Sequence, residues 1–252
     1  MAETKTEAII LRTIPFKETS KIVRLYTRDK GKIAAIAKGA SRMKSGFRGK
    51  LDPLNYVEAI VYFKENRGVQ TLGDVSLIRS FVNDYQEIDT IYYSTAILEA
   101  LDKFIDGSED NERVFILTIN LLSIIDQNHS WAKAALVYYL FILTDLLGFK
   151  INLYNCSICY KEIQEAYYNT KVDHLMCEEC GDERDLHLGS SMLNYFKSIE
   201  EVSDLKDIPW DSISNRNLTK AGKFLLKYLG WHMDVSPVLK SLKTLQQTRS
   251  LE

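Results

Sequence analysis

The 252-residue chain reads as an α+β protein in which a small closed β-barrel is followed by a helical body that a short cysteine-bearing insertion interrupts. Three features predict this. Over the first 80 residues, β-branched and aromatic runs alternate with turn residues. From about residue 84 the apolar positions recur with the 3.6-residue period of helices. Between Ile151 and Asp185 neither period holds, and all four cysteines lie there. The expected domains are 1–80 for the barrel, 81–150 and 186–250 for the two parts of the helical body, and 151–185 for the insertion.

Five strands are expected, over Glu7 to Arg12, Lys21 to Thr27, Lys32 to Ala37, Asn55 to Phe63 and Val69 to Leu77. They are bounded by turn chemistry such as Arg28-Asp29-Lys30-Gly31 and Lys64-Glu65-Asn66-Arg67-Gly68. With no helix between them, so few strands fit an antiparallel barrel, because closure removes the exposed edges of a small sheet. In the fourth strand Val57, Ala59, Val61 and Phe63 alternate with Tyr56, Glu58, Ile60 and Tyr62. The second set is also mostly apolar, which predicts burial on both faces or an aromatic working face.

Helices are expected over Ile88 to Ile105 and over Val114 to Ile125, the latter behind a cap at Asp110 or Asn111. Others run from Ser130 or Trp131 to Leu147, stopped by Gly148, from Ser190 to Glu201, from Ser214 to Leu229 before Gly230, and beyond Pro237. Their apolar stripes are read as core. The longest apolar run, Ala134 to Leu143, has ten residues, against about 18 for a membrane span. The opening residues lack the basic-then-apolar pattern of a secretory signal, so a cytoplasmic protein without a membrane partner is expected.

Charge is unevenly placed. Residues 1–50 hold 13 Lys and Arg against 4 Asp and Glu, and residues 1–80 stand at +8, whereas the remaining 172 residues stand at −10. A cationic end of this size suits a polyanion, with nucleic acid the most abundant candidate; a solvated Lys and Arg face is the plain alternative. The acidic helical body is expected to repel nucleic acid and to leave its apolar grooves to protein partners.

Cys156-x2-Cys159 and Cys177-x2-Cys180, separated by 17 residues, have the paired-knuckle spacing of a tetrahedral zinc site. Paired disulfides suit an exported chain better than this one. Cys156, Cys159, Cys177 and Cys180 fill all four positions, so the expected Zn2+ is structural, with no place for a substrate. A segment this short buries little core, and the ion supplies its folding free energy. Ala166-Tyr167-Tyr168-Asn169 and Val172 are expected in a ribbon hairpin, Gly181 suits a tight backbone after the second knuckle, and His174 is read as solvated.

Between the third and fourth strands, Lys38 to Lys50 carries five cations, three glycines and one aromatic in thirteen residues. Such a loop is expected to be mobile and to wrap a phosphate backbone, with Phe47 placed to stack on a base. The candidate nucleic-acid-binding residues are Lys38, Arg42, Lys44, Arg48 and Lys50, supported by Arg12, Lys17, Lys21 and Arg24.

Glu7-Ala8-Ile9-Ile10-Leu11-Arg12, Lys17-Glu18-Thr19-Ser20-Lys21-Ile22-Val23, Ala37-Lys38-Gly39-Ala40 and Leu51-Asp52-Pro53-Leu54, followed by helices with a four-cysteine insertion, resemble the RecO family of bacterial recombination mediators. The resemblance implies an N-terminal OB-fold, a helical domain with a zinc-finger module, and no enzymatic turnover. It implies action in recombinational repair by the RecF pathway, at the nucleoid: binding single- and double-stranded DNA, annealing complementary strands and assisting recombinase loading on coated strands. The partners it implies are RecR and the single-stranded-DNA-binding protein.

Catalytic signatures are absent from the sequence: no Gly-x4-Gly-Lys-Ser/Thr loop, no His-Glu-x2-His, and four histidines, at 129, 174, 187 and 232, without an evident partner. The competing readings are an RNA-binding or transcription-associated OB-fold and zinc-ribbon protein, and a pure interaction adaptor.

Overall fold

The structure, a computed structural model, describes residues 2–64, 66–82, 88–106, 111–169, 171, 174–182 and 185–249; Glu65, Asp110 and Val172 fall outside these. The chain forms two compact units, Met1–His129 with Leu239–Glu252, and Ser130–Val238.

The first unit is built on five strands, β1 (Ala2–Phe16), β2 (Ser20–Thr27), β3 (Gly31–Ala37), β4 (Asn55–Phe63) and β5 (Gln70–Ser80), in the closed order β1-β2-β3-β5-β4. β1 outruns its expected span because it serves two neighbours. Ala2–Ile9 pairs with β4 and Ala8–Phe16 with β2, and a register shift lies between Ile10 and Arg12. Four of the five pairings are antiparallel, but β3 and β5 run parallel, with Ile36 opposite Thr71. The purely antiparallel barrel is thus corrected: the loop after β3 and the whole of β4 carry the chain across the barrel before β5 enters beside β3. This five-stranded closed arrangement is the OB-fold.

Alternation fixes which side chains fill the barrel. Val57, Ala59 and Val61 of β4 are buried with Val23 and Leu25 of β2 and Leu72 and Val75 of β5. Each branched side chain so buried contributes about 1.5–3 kcal/mol. The other face of β4 is covered in part by helix: Tyr56 meets Phe115 edge-on, with ring centroids 6.0 Å apart.

Helices α1 (Ile88–Phe104) and α2 (Asn111–Gln127) complete this unit, together with the last helix of the chain. Arg79 of β5 pairs with Asp126 of α2.

In the second unit, α3 (Ala132–Leu146) ends where expected, with Gly148 at φ +82 and its N–H donating to Asp145 O at 2.9 Å. A three-stranded sheet follows, β6 (Ala166–Tyr168), β7 (Leu175–Met176) and β8 (Leu186–Leu188), ordered β7-β6-β8. Then come α4 (Ser190–Glu200) and α5 (Asn215–His232). Gly230 was expected to stop α5 and does not. Its ideal Cβ position lies 2.9 Å from Val235 O and 3.0 Å from Pro237 Cβ, so glycine is needed for close approach, and the chain turns at Asp234, φ 50. After this turn α6 (Lys240–Arg249) returns to the first unit, where Ser241 donates from N and Oγ to Glu99 Oε2 of α1, each at 3.1 Å. Among the described residues no helix is long and apolar enough to cross a membrane.

Candidate nucleic-acid interface and metal centre

The basic loop is folded onto the barrel rather than loose. Arg42 N–H donates to Gly39 O (3.1 Å), Ser45 N–H to Arg42 O (3.0 Å) and Lys50 N–H to Phe47 O (3.1 Å), making successive turns. Ser41 N–H donates to Thr19 O (2.9 Å), which ties the loop to the β1–β2 turn, and Thr13 Oγ1 donates to Leu51 O at 2.6 Å. Leu51 and Leu54 are buried, and Phe47 packs against the barrel core. The apolar residues spaced through the loop are what anchor it. Phe47 is half-buried there rather than projecting.

The candidate cations fall into distinct settings. Lys21, Arg42 and Arg48 line one cleft of about 370 Å³ with Met43, Phe47, Gly49 and one acid, Asp52. Lys38, Lys44 and Lys17 are exposed beside the same turns, and Lys17 Nζ lies 5.5 Å from the Phe16 ring centroid. Among the described residues, none of Arg12, Lys21, Lys38, Arg42, Lys44 and Arg48 forms an ion pair. Gly39 lies at φ +70, and the Arg42 side chain passes 3.4 Å from where its Cβ would be.

Two candidates are engaged elsewhere. Lys50 Nζ donates to Val75 O at 2.8 Å, against β5. Arg24 Nε lies 3.0 Å from Asp102 Oδ1 of α1. Arg24 stands directly opposite Arg12 in the β1–β2 register, and Ile14 opposite Ile22. These four residues with Lys32 and Ile33 line a second, smaller groove of about 260 Å³. Lys32 donates to the carbonyls of Asp102 (2.8 Å) and Ile105 (2.5 Å) at the end of α1. Burial pushes its pKa down, opposed by Asp102.

The four cysteine sulfurs lie within 4.8 Å of one another, with those of Cys159 and Cys177 3.6 Å apart. A tetrahedral ion with Zn–S bonds near 2.3 Å needs edges of about 3.8 Å, so the cluster fits zinc. The first knuckle turns at Tyr160 (φ 61), whose N–H donates to Cys156 O at 3.0 Å; in the second, Gly181 N–H donates to Cys177 O at 2.8 Å. Lys161 Nζ pairs with Glu179 across the knuckles at 2.5 Å. Burial pushes the Cys156 thiol up, but N–H groups of Cys159, Cys177 and Ile158 outweigh it and bring the pKa to about 6. Cys180, hydrogen-bonded to Cys159 and partly desolvated, is pushed up to about 12. Gly181 is required for a different reason than expected: a Cβ there would lie 2.5 Å from Tyr167 Cβ. His174 is exposed and outside the cluster.

Residues 1–81 match the family described as Recombination protein O N terminal, and residues 85–243 match Recombination protein O C terminal. The chain belongs to the RecO family. Similar RecO proteins include the DNA repair protein RecO of Koribacter versatilis, 29% identical over 235 residues that span 91% of this chain and 93% of that one. The DNA repair protein RecO of Caldicellulosiruptor saccharolyticus is 27% identical over 223 residues, 88% of this chain and 89% of that one. That of Rhodopirellula baltica is 28% identical over 210 residues, 82% and 77% respectively.

Within this RecO chain, sequence reasoning passed over Lys32 and the paired isoleucines Ile14 and Ile22. A strand alternation of cation and isoleucine, Arg12-x-Ile14 and Ile22-x-Arg24, was the available signal.

Proposed function

We propose that this protein is a passive DNA repair and recombination mediator that binds single- and double-stranded DNA through the barrel, anneals complementary strands and assists recombinase loading on coated strands. The observation that carries the reading is the cleft lined by Lys21, Arg42 and Arg48, none of which forms an ion pair among the described residues although Asp52 lies at the same cleft. Cations left unpaired on an ordered turn are poised to replace the counterions of phosphates, independently of base sequence. Holding cations against two backbones screens their repulsion, which lowers the barrier to pairing; no bond is made or broken. RecR and the single-stranded-DNA-binding protein are the partners we assign to this role.

Cys156, Cys159, Cys177 and Cys180 are proposed to hold a structural zinc ion, which supplies cohesion to a segment with little core. The support is the convergence of four sulfurs on two hydrogen-bonded knuckles.

The test is a strand-annealing assay with complementary labelled oligonucleotides, in which the protein should accelerate duplex formation without ATP. A variant carrying Arg42→Glu, Lys44→Glu and Arg48→Glu should lose that acceleration. Equal acceleration by the variant would contradict the reading, and tighter binding to RNA than to DNA of equal length would favour an RNA-binding role.

A further inference from the structure

α5 carries an arrangement that the charge balance of its surroundings does not anticipate. Arg216, Lys220, Lys223, Lys227 and Trp231 follow one another at intervals of four, three, four and four residues, the spacing of a single helix face. All five are exposed, Trp231 to 54%. Residues 130–238 contain 11 Lys and Arg and 15 Asp and Glu, yet α5 holds four of those cations and none of those acids. None of the four forms an ion pair among the described residues. The acids nearest the stripe in sequence, Asp211 and Asp234, both lie outside the helix; Asp234 N–H donates to Trp231 O at 3.3 Å.

We infer that this face of α5 is a second nucleic-acid contact surface, taking the backbone of a single strand along Arg216, Lys220, Lys223 and Lys227, with Trp231 stacking on a base at its end. The ligand class rests on the function proposed above; the surface does not. Successive cations rise about 4.5–6 Å along the helix axis, so the stripe offers a row of charges to a linear polyanion rather than one focus for a small anion. An exposed indole continuing the row supplies the sequence-tolerant stacking that a carboxylate-rich peptide does not need. Insertion into a lipid surface is disfavoured because the apolar face of the helix is spent: Leu218, Phe224, Leu225 and Leu229 are buried in the protein. The helical unit is therefore not uniformly repellent to nucleic acid, contrary to what its net charge suggests. With one such surface in each compact unit, a chain has two places at which to hold strands.

The experiment uses the full chain and follows tryptophan fluorescence while an oligothymidylate is added at low salt. Trp131 and Trp210 stack on each other, with ring centroids 6.0 Å apart, and serve as the internal background. Saturable quenching is expected, and Trp231→Phe should remove it while binding seen by anisotropy of a labelled oligonucleotide persists. A variant with Arg216, Lys220, Lys223 and Lys227 changed to Ala should need about tenfold or more oligonucleotide for half-quenching, and the same four changed so that every lysine is Arg should not. Quenching that survives in the Ala variant, or no saturable quenching in the parent, overturns the inference. Saturable quenching by polyglutamate but not by the oligonucleotide also overturns it and gives the face to an acidic protein. The barrel-loop variant Arg42→Ala, Lys44→Ala, Arg48→Ala keeps the Trp231 signal, so failure of the barrel reading and failure of this one are told apart.

Discussion

Asp102 of α1 lies 3.0 Å from Arg24 Nε, so a carboxylate occupies a guanidinium that otherwise faces Arg12 across the β1–β2 pair. A phosphate entering this groove competes with Asp102 for Arg24. Asp102→Asn should release the guanidinium and steepen the salt dependence of single-strand binding by up to about 0.7 in log K per log salt, one further phosphate contact. The pair is partly exposed, 37% and 23%, so the stability lost should be no more than about 1 kcal/mol. Salt titration and thermal melting of the variant check both; an unchanged slope with a large loss of stability would make Asp102 purely structural.

Lys50 and Lys44 sit in the same loop but should respond differently. Lys50 donates to Val75 O, and truncating it leaves that carbonyl without the partner. Lys50→Ala is expected to cost about 1 kcal/mol in urea unfolding, whereas Lys44→Ala, at an exposed and unpaired position, should leave the midpoint in place and weaken DNA binding. The reverse ranking in stability would contradict the placement of the loop.

Gly39→Ala removes no charge, yet it should impair both properties. Its φ of +70 disfavours a Cβ, although the added methyl would meet the Arg42 side chain only at ordinary contact distance, 3.4 Å. Strain of about 1–2 kcal/mol is expected by chemical denaturation, with weaker oligonucleotide binding because the turn that carries Arg42 relaxes to relieve it. Parent-like behaviour in both would show that Gly39 does not position the guanidinium.

Elemental analysis should find one zinc per chain, held by the cysteine cluster. Acid should strip the ion, because protons compete for the thiolates. The direction follows from the cluster as a whole: without the ion Cys156 is held down near 6 but Cys180 is pushed up to about 12, so binding the ion releases protons and falling pH reverses it. Chelation should lower the melting temperature, and Cys177→Ser should lower the metal content. A metal-free protein with an unchanged melting curve would contradict a structural ion.

What was legible in the sequence, and what was not, divides along local and non-local physics. Strand β4 was placed at both ends because its period of two is local, and the two Cys-x2-Cys knuckles because their spacing is local. The parallel β3–β5 pairing escaped because it joins segments that the loop and β4 separate in sequence. Arg24 and Lys50 resembled the other cations, and only their distant partners, Asp102 and Val75 O, distinguish them. Gly181 and Gly230 were readable as special positions, but the cause in each case, the approach of Tyr167 or of Val235 and Pro237, is tertiary.

The most direct measurement of the central claim is a fluorescent-oligonucleotide titration repeated across salt for the parent and for Arg42→Ala, Lys44→Ala, Arg48→Ala. If these side chains hold phosphates, the slope of log K against log salt should be shallower in the variant by about 2, at roughly 0.7 per contact on a single strand. Parallel lines for the two proteins would contradict the claim.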